Sequence, residues 1–258
     1  FFFQADDGIR DSVASRGLGD VYKRQMKKLT MLSTTVILGL GLALSHTAMA
    51  QADEVTESTA PTSALSETAT SPLRTLQHQW AHINYELDDA EKEKAFVALI
   101  NTAKSFVKAE PNNPELLIWQ GIIQSSTAGA KGGLGALDYA KDARKSFEHA
   151  MRLDENALSG SAMTSLGVLY HKLPGWPISF GNDKKAEKLL KHALEINPDG
   201  IDPNYFYAEY LFDNGNYEQA LKFAKKALDA PARADRPIAD SGRKREIALL
   251  EAKIARKS

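Results

Sequence analysis

An all-α fold, a right-handed solenoid of three to four helix pairs with a C-terminal capping helix, is what this 258-residue chain predicts. Three observations carry the prediction. From Leu73 onward every substantial segment has apolar residues at the helical period, and no run of alternating β-branched residues appears. The endings HAMRLDENA (149–157) and HALEINPDG (192–200) match each other, as internal repeats do. In PNYFYAEYLFDNGNYEQALKFAKKAL (203–228), Ala208, Ala220 and Ala227 are small where two antiparallel helices must approach, and Leu211 and Tyr217 fill the gaps between them. Gly215-Asn216 is the turn between those helices, because a left-handed backbone angle is easy for Gly and tolerable for Asn.

The elements follow in order. Residues 1–25 start without Met and resemble translated sequencing-adapter read-through, so they are expected to be an artefact. Residues 26–50 read as a signal peptide: Lys27 and Lys28 precede an apolar run over 29–44, and Ala48-Met49-Ala50 gives a small-x-small site. Cleavage is expected after Ala50, delivering the product to the periplasm with no stable membrane insertion once the signal is removed. Residues 51–72, rich in Ser, Thr and acids, bury too little apolar surface to offset their ordering entropy and are expected to be a disordered linker. The folded domain is then 73–258. A degenerate helix pair is expected over 73–88 and 90–109, with Trp80 and Phe106 as packing residues. The next pair carries Gly121, then Ala143, Phe147 and Ala150; the third carries Leu166, Gly167 and Tyr170, then Ala186, Leu190 and Ala193; the fourth is 203–230. Residues 243–256 would cap the stack with a polar outer face.

Composition narrows the function classes. Lys and Arg number 32 against 33 Asp and Glu, so there is no basic face for nucleic acid. There is no cysteine, which removes disulfides, thiol chemistry and a lipid-bearing N-terminal cysteine.

Two departures from the repeat stand out. Gly167 to Ala186 spans 19 positions and Gly121 to Ala143 spans 22, against 12 from Ala208 to Ala220. The excess lies in KLPGWPISFGND and TAGAKGGLGALDYA (127–140), both between the two helices of a unit. Insertions at equivalent places emerge on one side of a solenoid. Trp176 is therefore expected at least partly buried near the GGLG turn, with Lys131 reaching its rim.

Residues 115–228 resemble tetratricopeptide repeats, on the small-residue and turn positions quoted above. That resemblance implies a protein or peptide partner, no cofactor and no catalytic residues. The LPGWP and GGLGAL insertions are also similar to exported helical-repeat proteins of the TRAP-transporter T-component type. This second resemblance implies an accessory solute-binding subunit and a small organic ligand.

Candidate site residues follow from the template. Trp176 and Phe180 place aromatic area on a loop stiffened by Pro174 and Pro177; the ring either pins the insertion to the helices or lines a ligand cleft. First-helix positions facing inward are Ile118, Ile122 and Ser125, then Thr164, Val168 and His171, then Tyr205, Glu209 and Phe212. They form either a mixed apolar groove suited to a peptide or helix, or plain core if the superhelix closes. In the tail, Arg236 and Arg243 either belong to an Arg–Asp clasp, with Asp240 or Ser241 capping the final helix, or recognise a carboxylate. His78, His82 and Glu86 share a helix face but lack a HExxH pattern, so they read as an exposed polar stripe and no metal ligand is assigned. GAKGGLG lacks the Lys-Ser/Thr ending of a phosphate loop and reads as a flexible tip.

Overall fold

The computed structural model describes residues 71–257. The expected artefact, the signal peptide and all but the last two residues of the expected linker lie outside that range. Ser71 and Pro72 already start the first helix: the Ser71 hydroxyl accepts from the Arg74 N–H at 3.2 Å, and Pro72 occupies the first turn, where its missing N–H costs nothing.

Nine α-helices follow among the described residues: α1 (Pro72–Glu86), α2 (Asp89–Ala109), α3 (Pro114–Lys131), α4 (Ala136–Leu153), α5 (Ser161–Lys172), α6 (Asp183–Ile196), α7 (Ile201–Asp213), α8 (Tyr217–Leu228) and α9 (Pro237–Ala255). They pack in sequence as four antiparallel pairs and a final helix, the expected helix-pair solenoid. Asn side chains cap three of them: Asn113 accepts from Glu115 and Leu116, Asn182 from Lys185, and Asn216 from Gln219. Gly215 takes φ +78°, the left-handed angle its turn requires.

The small residues mark the helix contacts. Ala143, Ala150, Ala186, Ala193, Ala208, Ala220 and Ala227 are all fully buried. A Cβ at Gly121 would stand 2.6 Å from the buried Phe147 ring, so only glycine lets α3 and α4 meet there.

Two expectations are corrected. The excess between Gly121 and Ala143 is mostly added helix: α3 runs to Lys131 and α4 begins at Ala136, leaving a turn of only four residues. Apolar and Ala-rich sequence favours extending helices over extruding a loop. The last helix starts at Pro237, six residues before the expected boundary, so Asp240 and Ser241 lie inside it and cap nothing.

The chain also closes on itself. Helix α9 packs on α7, α8 and α1, joining the two ends of the solenoid. Gly242 makes the approach possible: a Cβ there would lie 2.4 Å from the Tyr85 ring of α1. The Tyr85 hydroxyl donates to Glu246 at 3.4 Å, and His78 Nε2 donates to the Asp235 carbonyl at 2.9 Å.

Candidate functional site

Closure turns the inner face into the wall of a cavity of about 390 Å³. Each odd-numbered helix contributes: Trp80 and Tyr85 from α1, Trp119 and Ile122 from α3, Ser161 and Thr164 from α5, Asp202 and Phe206 from α7, Ala239 and Arg243 from α9. Of the projected inner-face positions, Ile122 and Thr164 line this cavity. Ile118, Ser125, Val168 and Tyr205 are buried. His171, Glu209 and Phe212 are half-buried.

One side of the cavity is aromatic. Trp80 meets Trp119 edge-on with centroids 5.7 Å apart, and its indole N–H donates to the Ser126 hydroxyl at 2.8 Å. The other side is ionic. Asp202 accepts from Arg233 at 2.7 Å and from Arg243 at 2.8 Å, Arg233 also donates to Asp240 at 2.7 Å, and Arg243 pairs with Glu246. Burial alone would raise the Asp202 carboxyl, but the Arg233, Arg243 and Arg236 charges overcome it and hold the group well below the usual carboxylate range. Arg243 lies over Tyr205 and Phe206 at 4.6 and 4.5 Å. It is a buried structural cation, clasped by carboxylates and aromatic faces.

Arg236 differs. It lines the cavity and lies over the Trp119 ring at 5.0 Å, yet its side chain makes no hydrogen bond or ion pair among the described residues, and its buried Nε has no partner. Burial, and next the Arg233 charge, lower its pKa from the ordinary 12.5.

The cavity lining also includes a strained turn. Leu158 and Ser159, in the turn before α5, have φ of 47° and 54°, a left-handed conformation that non-glycine residues rarely adopt.

The remaining candidates fall elsewhere. His171 lies between carboxylates, with Nδ1 3.1 Å from Asp183 and Nε2 2.9 Å from Asp213. Lys172 donates to Asp213 at 2.6 Å and lies 3.4 Å from Glu209. Burial raises the Asp213 carboxyl, but hydrogen bonds from His171 and Lys172 outweigh it and hold it at about 2 rather than 3.8. Phe212 packs on Tyr217 at 5.5 Å. Lys131 donates to Glu93 of α2 at 2.7 Å, so it is engaged at the surface. His82 faces Glu86 at 2.7 Å, and no group of three metal-ligating side chains exists among the described residues.

Trp176 is 90 % exposed, which corrects the expectation that it packs near the GGLG turn. Phe180 holds the loop instead: its ring meets Tyr170 edge-on at 5.6 Å, and Arg144 lies over it at 5.0 Å. The Asn182 N–H donates to the Tyr170 carbonyl at 2.8 Å and the Gly181 N–H to the Pro174 carbonyl at 2.9 Å, leaving Trp176 at the tip of an internally bonded loop.

Trp80 is expected from the sequence as a packing residue, whereas Trp119, Asp202 and Ser159 carry no motif that singles them out. The available signal was the Arg-rich tail: four guanidinium groups near two local aspartates (231–245) require carboxylates from elsewhere in the chain.

Residues 180–237, from the end of the LPGWP loop to the start of α9, match the tetratricopeptide repeat family, and this segment of the chain is tetratricopeptide repeat. Among solved structures, MamA is 21% identical with a TM-score of 0.38, covering 66% of this chain and 95% of MamA. TTC0263, a thermophilic TPR protein of Thermus thermophilus, is 18% identical with a TM-score of 0.37, covering 69% of this chain and 97% of its own. No curated protein matches the chain. Tetratricopeptide repeats are protein-interaction scaffolds, generally without catalysis, and that is the class the repeat segment defines. Among the described residues no helix is long and apolar enough to cross a membrane.

Proposed function

We propose that this protein is a periplasmic interaction scaffold that docks a protein partner on the LPGWP loop. The observation that carries the reading is Trp176, 90 % exposed on a loop whose backbone is hydrogen-bonded and whose base is pinned by Phe180. Ile178 beside it is 52 % exposed. Rigid exposed aromatics are what interface hot spots use, because they bring area without ordering cost. The signal-peptide pattern expected over 26–50 supports the periplasmic part of this reading. A photo-crosslinking residue at 176 in the full chain should trap one defined envelope protein, and Trp176→Ala should weaken recovery about tenfold. Equal recovery with Trp176→Ala rejects the loop as the interface. N-terminal sequencing of the exported product should begin at Gln51.

The cavity favours a second reading, an accessory subunit that binds a small organic solute. A volume of about 390 Å³ with an aromatic wall and a few polar groups is the size and lining of a small-molecule site. A bound ligand would raise the melting temperature, since it binds only the folded ring.

A further inference from the structure

The base of the LPGWP loop holds a charge cluster outside the cavity lining. His171, the penultimate residue of α5, has a side chain only 4 % exposed, and its ring meets Tyr210 of α7 edge-on with centroids 5.0 Å apart. Each ring nitrogen faces a carboxylate. Nδ1 lies 3.1 Å from Asp183, the first residue of α6, and Nε2 lies 2.9 Å from Asp213, the last residue of α7. A neutral imidazole carries one N–H, so one of these contacts would set a nitrogen lone pair against an oxygen lone pair. The imidazolium donates to both. The neighbouring charges agree: Lys172 lies 2.6 Å from Asp213 and 3.4 Å from Glu209, so three carboxylates face one ammonium and leave room for a second positive charge. Further along α6, Glu187 is held by Lys191 at 2.7 Å, and Lys185 lies over the Tyr170 ring.

This cluster straddles the loop that presents Trp176. His171 stands just before the loop and Asp183 just after it, so their contact closes the loop at its base, and the Nε2 contact ties that base to α7. Beside them the Asn182 N–H donates to the Tyr170 carbonyl, and the Asn182 side chain caps α6. We propose that His171 is a proton-operated clamp on the docking loop: the imidazolium fastens the loop's base to α7, and loss of its proton frees one of the two carboxylates. Histidine is the side chain whose charge ordinarily changes between pH 5 and 8. Asp213, held at about 2, stays a carboxylate throughout that range. Without the proton, one contact turns from a charge-assisted hydrogen bond into a meeting of lone pairs, and the loop loosens. Docking on Trp176 is then stronger on the acid side of the range, because a fixed ring meets its partner at lower ordering cost. This inference rests on the docking reading and adds its regulation.

Nitrogen NMR of the His171 ring in the full chain reads its charge directly, since an imidazolium has two protonated nitrogens and a neutral ring one. The ring should be an imidazolium at pH 5 and neutral at pH 8. Amide protection factors at Gly181 and Asn182, which divide out the intrinsic pH dependence of exchange, should fall about tenfold in step with it, as one charge-assisted hydrogen bond is lost. A photo-crosslinker at 178 leaves Trp176 in place, and its capture of the envelope partner should be better at pH 5 than at pH 8. His171→Gln cannot titrate, so both its protection factors and its capture should be level across the range. A ring that stays neutral at pH 5, one that stays charged at pH 8, or protection that holds level while the ring titrates overturns the clamp. Titration and protection that move together while capture ignores pH overturn the control of docking and leave docking itself standing. No capture at either pH rejects the docking reading, and this regulation with it. The wild-type titration needs no variant, so it decides even if His171→Gln fails to fold.

Discussion

Trp176→Ala separates a ring that pins the loop from a ring that meets a partner, and the structure sets the magnitude. A tryptophan side chain presents roughly 250 Å² of surface. At 90 % exposure about a tenth of that is buried, roughly 25 Å², worth about 0.6 kcal/mol at ~25 cal/mol per Å². A packed tryptophan would instead cost about 3–5 kcal/mol on truncation. Phe180 supplies the internal control. It lies half-buried between Tyr170 and Arg144, so Phe180→Ala should cost about 2 kcal/mol, below the full-core value because the ring is only partly enclosed. Urea unfolding followed by circular dichroism measures both, with an unchanged slope confirming that the folded state is the same. The order expected is wild type, then Trp176→Ala within about 1 kcal/mol, then Phe180→Ala. A Trp176→Ala loss above about 2 kcal/mol, or a loss larger than that of Phe180→Ala, would mean that the ring packs and the docking argument fails. The same variant must lower crosslinking or capture of the partner for the loop to be the interface.

Three further outcomes follow from the geometry. Gly242→Ala places a methyl 2.4 Å from Tyr85 and should destabilise by about 1–2 kcal/mol, overpacking less the helix-propensity gain, and unlock α9 from α1 so that hydrogen exchange quickens in both; no change would mean that the ring does not close through this contact. The Asp213 carboxyl is depressed to about 2 from 3.8, so it contributes stability, on the order of 1 kcal/mol once solvent screening at this exposed residue is allowed for, that is present above pH ~4 and lost as pH falls toward 2. Asp213→Asn should flatten the stability profile over that window, and an unaltered acid limb refutes the assignment. Ser159→Gly should stabilise by a few tenths to about 1 kcal/mol in thermal melts, as relief of the left-handed penalty exceeds the entropy glycine loses; destabilisation would show that the serine side chain holds the rim.

The helix pairs were legible because each is specified locally. Small residues at fixed spacing, an Asn or Gly turn and an apolar stripe all lie within one unit, and Gly215, Ala208 and Ala220 stand where that logic puts them. The long step after Gly121 was misread for the same local reason: a Gly-rich text signals a loop, whereas the flanking Ala and Leu residues carried α3 and α4 through most of it. Trp176 was misplaced because burial of a loop aromatic depends on the neighbouring surface, and Phe180 already fills the space beside Tyr170.

Closure lay beyond the local pattern. Whether α9 reaches α1 depends on a small rotation between units summed over the whole stack, a quantity that no single repeat encodes. Once the ends meet, residues that share no motif become neighbours. Tyr85 of the first helix finds Gly242 and Glu246 of the last, and Arg236 reaches the Trp119 ring of α3. That is why Arg236 and Arg243, alike in sequence context, diverge in role. Arg243 finds Asp202, Glu246 and two aromatic faces and becomes core, whereas Arg236 finds the Trp119 face and only the longer-range charges of Asp202 and Asp240. Burial and the Arg233 charge oppose its ionisation, while the Asp202 and Asp240 charges favour it. Its place over Trp119 beside the cavity follows from closure, because no repeat unit by itself brings residue 236 to α3.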